Sequence, residues 1–101
     1  MKKTYTVDCT FNKNLEHYTI MNFQSLKEAL SYVSNQCHYI SNYSMSDETL
    51  NNLNAFINDA QNADPFCCAV FHLDDYDYHY QITVRYENHL IEKLHTLFRK
   101  F

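Results

Sequence analysis

Six histidines and four cysteines are the residues of this chain with the widest chemical repertoire, and their spacing decides what they can do. A zinc site built into one short segment needs paired donors at fixed intervals, so that one turn or one helix face offers two ligands to one ion. Neither a CxxC nor an HxxxH spacing occurs, and Cys67 and Cys68 are adjacent, which would point them to opposite faces of a strand. Only a meeting in space of Cys37-His38 with Cys68 and His72 would assemble a site, and nothing in the sequence requires it. Core thiols and surface imidazoles are therefore expected, with no metal and no cofactor. Cys37 beside His38 is also the nearest approach to a thiol nucleophile with its base, yet it lies in no signature of a cysteine hydrolase, so no catalytic residue is expected. Asp74-Asp75-Tyr76-Asp77 gathers carboxylates but lacks the spaced ligands, turn glycine and distal glutamate of an EF-hand.

The chain of 101 residues contains no glycine. Glycine enters positive φ without steric cost, and loops that bring backbone amides to a phosphate or expose a nucleophile on a strained turn depend on it. A P-loop, a GxGxxG turn, a kinase glycine loop and a GxSxG elbow are thereby excluded. Turns must fall to asparagine and aspartate, the residues that best tolerate the left-handed region.

Charge is segregated along the chain. No lysine or arginine lies between Lys27 and Arg85, an interval holding eight acidic residues: Glu28, Asp47, Glu48, Asp59, Asp64, Asp74, Asp75 and Asp77. The segments on either side each carry +2, so the net −4 conceals a middle of −8. Such a middle repels phosphate, which argues against direct nucleic-acid binding. It suits a basic partner, because complementary charge steers encounter and tyrosine adds contact area at low entropic cost. The densest patch is Asp74, Asp75, Tyr76, Asp77 and Tyr78, and Asp47, Glu48 and Asp64 extend it if the ends of their helix lie nearby. The plainer reading is a solubilising turn. The longest apolar run, Phe66 to Phe71, has six residues, against roughly 20 for a membrane span. The N-terminal segment alternates instead of forming a signal-peptide core, so a cytoplasmic protein is expected.

The elements that must position these residues read as follows. Tyr5, Val7, Cys9 and Phe11 alternate with Thr4, Thr6, Asp8 and Thr10 as a half-buried strand. Asn12-Lys13-Asn14 turns into a second strand over 15–23. Ser25 and Glu28 fit a capping box opening a helix with Leu26, Ala29, Leu30 and Val33 on one stripe, which Asn35 can end; residues 36–44 are ambiguous. Ser46 caps a second helix with Leu50, Leu53, Phe56, Ile57 and Ala60 inward, closed by Asn62 to Pro65. Phe66 to Leu73 reads as a central strand, followed by the acidic turn and a strand with Tyr78, Tyr80, Ile82, Val84 and Tyr86 on one face. A last helix is expected over 88–100. The expectation is a single α+β domain over 1–101, ββααββα, with an antiparallel four-stranded sheet and helices on one face.

In size, asparagine and tyrosine richness, lack of glycine and acidic charge pattern, the chain resembles the small inhibitors encoded by phages and mobile elements, including the anti-CRISPR proteins. The resemblance spans the whole chain and involves no motif, so it transfers no functional residue. It implies a non-enzymatic inhibitor whose acidic surface occludes a basic nucleic-acid-binding surface of a host defence complex, such as a CRISPR-associated effector. The alternative is a small ligand-binding or regulatory α+β module that forms a homodimer through a strand edge or its tyrosine-rich sheet.

Overall fold

In the computed structural model, which describes residues 2–11 and 14–87, strand β1 (Lys2–Phe11) and strand β2 (Asn14–Phe23) form one hairpin. Helices α1 (Leu26–Ile40) and α2 (Asp47–Asn62) follow, then a second hairpin of β3 (Cys68–Leu73) and β4 (Tyr78–Glu87). All pairings are antiparallel and the strand order is β2-β1-β4-β3, so the two hairpins join through their inner strands. The class is α+β, as expected; the helix expected over 88–100 lies outside the described residues.

Alternation sets the two faces of the sheet. Val7 and Cys9 of β1, Tyr80 and Ile82 of β4, and Phe71 and Leu73 of β3 are buried on one face, where they meet Ala29, Leu30, Val33 and Cys37 of α1 and Leu53 and Ala60 of α2. Both helices pack there, α1 over β1 and β2 and α2 over β3. The opposite face is mainly polar, with Ile20 and Val70 exposed on it, and Thr6 of this face is buried and donates to Asn22 Oδ1 at 2.8 Å across the β1–β2 pair.

Asn35 is not the end of α1; of the two courses open to Cys37–Ile40, prolonging the helix is the one taken, since Cys37 extends the buried stripe one turn beyond Val33 and the helix continues to Ile40. It stops in a Schellman arrangement, with the Asn42 amide donating to Tyr39 O at 3.1 Å and the Tyr43 amide to His38 O at 2.8 Å. Asn42, at φ 53°, takes the position that glycine usually fills. Phe66 to Leu73 is not central either. β3 lies at a sheet edge, and its apolar composition misleads because Cys68 and Val70 point away from the helices, with Val70 49% exposed. The caps match expectation: Ser25 Oγ accepts from the Glu28 amide at 3.1 Å and Ser46 Oγ from the Thr49 amide at 3.2 Å.

Replacing Asn42 by glycine removes a left-handed penalty of about 1 kcal/mol, so Asn42→Gly is expected to raise the urea midpoint. Leu53→Ala, at a fully buried site, is expected to lower stability by about 2–5 kcal/mol.

Candidate functional site: an acidic end of the sheet

The β3–β4 connection is short and strongly built. Leu73 and Tyr78 are cross-strand partners that close the ladder, with Leu73 fully buried. Between them Asp74–Tyr76 makes one 3₁₀ turn, and the Asp77 amide donates to Asp74 O at 3.2 Å. Asp77 sits at φ 57°, ψ 32°, the left-handed geometry that aspartate tolerates better than most residues. Asp74, Asp75 and Asp77 are exposed, while Tyr76 leans against the core.

The N-terminus of α2 lies beside this turn. Asp47 and Glu48 occupy its first turn, where the helix dipole favours negative charge, and both are exposed. Thr49 Oγ1 donates to Asp75 Oδ2 at 3.2 Å, and Ser46 Oγ donates to Thr49 Oγ1 at 2.9 Å. Five expected residues, Asp47, Glu48, Asp74, Asp75 and Asp77, therefore share one end of the molecule. Asp64 does not join them: it follows the other end of the 16-residue helix, about 24 Å away along its axis.

The tyrosines are arranged differently from the acids. Tyr78 turns inward, its ring 4.8 Å from Phe11 and 6.3 Å from Tyr80 between centroids, and Tyr76 is partly covered. The most exposed tyrosines among the described residues are Tyr39 and Tyr43, at 76% and 78% exposure, near the C-terminus of α1. Tyr43 stacks on His38 with centroids 5.8 Å apart, and its loop runs straight into the Ser46 cap of α2. Sequence reasoning missed it because residues 36–44 gave no clear period. The available signal was Asn42, the one residue there suited to a left-handed helix stop.

The cysteine–histidine combinations do not assemble. Cys37 is buried under the sheet, whereas Cys68 and His72 are on the opposite, exposed face, and Cys68 Sγ accepts from Gln81 Nε2 at 3.4 Å. Among the described residues no group of three or more His, Cys, Asp or Glu is placed to hold a metal. Burial pushes the Cys37 thiol up to about 12, helped by the nearby Cys9, which is the reverse of an activated nucleophile. Burial also raises Cys9 and Tyr80, whose hydroxyl lacks a conventional hydrogen-bond partner and abuts the Cys9 thiol. No described helix is long and apolar enough to cross a membrane. Protein-family models, curated proteins and solved structures provide no match to the chain.

The buried thiol has a consequence for stability. Below pH 9.0 Cys37 is neutral whether the chain is folded or unfolded, and its contribution is fully present. Above pH 9.0 the unfolded chain ionises while the folded one does not until about pH 12, so stability falls as pH rises through that window. Tyr80 and Cys9, raised for the same reason, act in the same direction. Urea unfolding across alkaline pH should show this decline, and Cys37→Ala, though less stable overall, should show a shallower one.

Proposed function

We propose that the protein is a non-enzymatic binding protein whose acidic end docks on, and occludes, a basic surface of a nucleic-acid-handling protein or nucleoprotein complex, in the manner of the anti-CRISPR-type inhibitors. The observation that supports this reading is the Thr49–Asp75 hydrogen bond, which sets Asp47 and Glu48 beside Asp74, Asp75 and Asp77. Carboxylates from two elements far apart in sequence then present one anionic surface, and the span 28–84 that holds both elements contains no lysine or arginine. Such a surface attracts a cationic groove over several ångströms and competes with the phosphates the groove would otherwise engage. The exposed Tyr43 at its margin supplies an aromatic contact that Tyr76 and Tyr78, which lean inward, supply less well.

The second reading, self-association, is favoured by a different observation. β3 is a sheet edge, and beside it a groove of about 540 Å³ runs along α2, lined by Phe56, Asp59, Ala60, Phe66 and Val70. An unpaired strand edge is a template for another strand.

Affinity capture from a lysate of the source cells tests the first reading. The tagged chain should retain basic nucleic-acid-binding proteins at low salt and release them as salt rises, since interactions between exposed charges are screened beyond about 10 Å at 0.1 M salt. A variant with Glu48→Lys, Asp74→Lys and Asp75→Lys should lose them while keeping its circular dichroism spectrum. Undiminished retention by that variant would remove this surface from the function. Light scattering that finds a dimer unaffected by the same substitutions would favour the β3 edge instead.

A further inference from the structure

We propose that His72 and His79 form a two-imidazole binding site for a divalent transition-metal ion of the copper and zinc class on the open face of the sheet. The inference is independent of the acidic-end reading.

The two residues are direct cross-strand partners in the β3–β4 ladder, so their side chains leave the same face of the sheet from neighbouring strands. Directly opposed residues hold their Cβ atoms about 4.5–5.5 Å apart. The rings meet edge to face, with centroids 4.6 Å apart at 75°, and the two Nδ1 atoms face each other in hydrogen-bonding contact. That contact defines the chemistry. Two Nδ1 lone pairs repel, as do two Nδ1 protons, so the free pair is content only with one proton between the nitrogens. A dication in the same place satisfies both lone pairs at once.

Binding balances without a redox step. The proton shared between the Nδ1 atoms leaves for solvent, and whichever ring carried it takes up a proton from solvent at Nε2. Both rings are then neutral Nε2–H tautomers presenting Nδ1 to the ion. Metal–nitrogen bonds of about 2.0–2.1 Å at tetrahedral or square angles set two ligating nitrogens about 3 Å apart. A small rotation of the exposed His72 ring provides that opening.

The surroundings favour a cation. The loop joining the two histidines carries Asp74, Asp75 and Asp77, whose field lowers the cost of placing positive charge at the base of the hairpin. Among the described residues no third His, Cys, Asp or Glu completes the set, which leaves two protein ligands from this pair. An open site of this kind keeps coordination positions free for an exogenous ligand. Imidazole donors and the Irving–Williams order make Cu²⁺ the tightest divalent probe, with Zn²⁺ weaker.

Titration of the full chain with Cu²⁺ and with Zn²⁺, followed by calorimetry in a non-chelating buffer, tests the site. One ion per chain is expected. His72→Gln and His79→Gln should each weaken Cu²⁺ binding by roughly tenfold or more, while His38→Gln, on α1, leaves it unchanged. Nitrogen NMR of the imidazole rings in the unsubstituted chain gives a readout that needs no variant: Zn²⁺ should shift the Nδ1 resonances of His72 and His79 together. Shifts confined to other histidines, no binding at all, or equal affinity in the doubly substituted chain would overturn the proposal.

Discussion

The pairing of β1 with β4 is the interaction on which the rest of the structure depends. It runs from Lys2 opposite Glu87 to Phe11 opposite Tyr78 and joins two hairpins that are separated in sequence by both helices. An isolated two-stranded hairpin is marginal in water, because its buried face has nothing to pack on. Joined, the hairpins make a continuous apolar surface of Val7, Cys9, Tyr80 and Ile82 at the sheet centre, wide enough to take two amphipathic helices. The same ladder fixes the geometry of the surface features. Its Phe11–Tyr78 end carries the acidic turn, and the Thr49–Asp75 hydrogen bond holds the α2 N-terminus at that end.

The lack of glycine constrains how such a fold can turn. Three described residues take positive φ: Asn42, Tyr43 and Asp77. Asparagine and aspartate lose least there, since a short polar side chain can find a local hydrogen bond, whereas tyrosine has no such relief. Asp77 therefore serves both the backbone and the electrostatics, closing the hairpin and adding a charge beside Asp74 and Asp75. A glycine at that position would make the turn more easily and the surface less anionic.

What was legible in the sequence follows the range of the forces involved. Local signals were read well: the alternation of β1 and β4, the Ser25 and Ser46 caps, and the apolar stripe of α2 all act within a few residues. Strand order was not readable, because β1 meets β4 through pairs 67 to 85 residues apart, from Phe11–Tyr78 to Lys2–Glu87, whose partners no local pattern names. The apolar content of 66–73 suggested a central strand because composition reports burial summed over both faces, while β3 buries only one. Of the acids grouped from the sequence, those of the turn and of the α2 first turn share one end of the molecule, while Asp64, grouped with them on the condition that both helix ends lie nearby, follows the far end of α2. Tyr78 could have been excluded as an outward contact from the sequence itself, because it shares its face with Tyr80 and Ile82. The His72–His79 pair was legible in principle too: Leu73 and Tyr78 bracket a four-residue turn, and one step outward on each strand reaches both histidines.

Electrostatics bears on which of the two binding modes the surface suits. Antiparallel pairing of β3 with a second copy would set the Cys68 end of one strand against the Leu73 end of the other. Asp64, just before β3, would then approach Asp74 and Asp75 of the second copy, at both ends of the pair. The span 28–84, which holds all of these groups, contains no lysine or arginine. With a screening length of about 8 Å at physiological salt, charges brought this near are only partly shielded. Edge strands are commonly protected from pairing by charge of this sort, and β3 has the further protection of being only six residues long. A basic partner reverses the sign of every one of these terms. The anionic middle that disfavours a second copy thus favours a cationic surface, and the placement of Asp74 and Asp75 on the turn beyond the edge strand makes the two effects part of one arrangement.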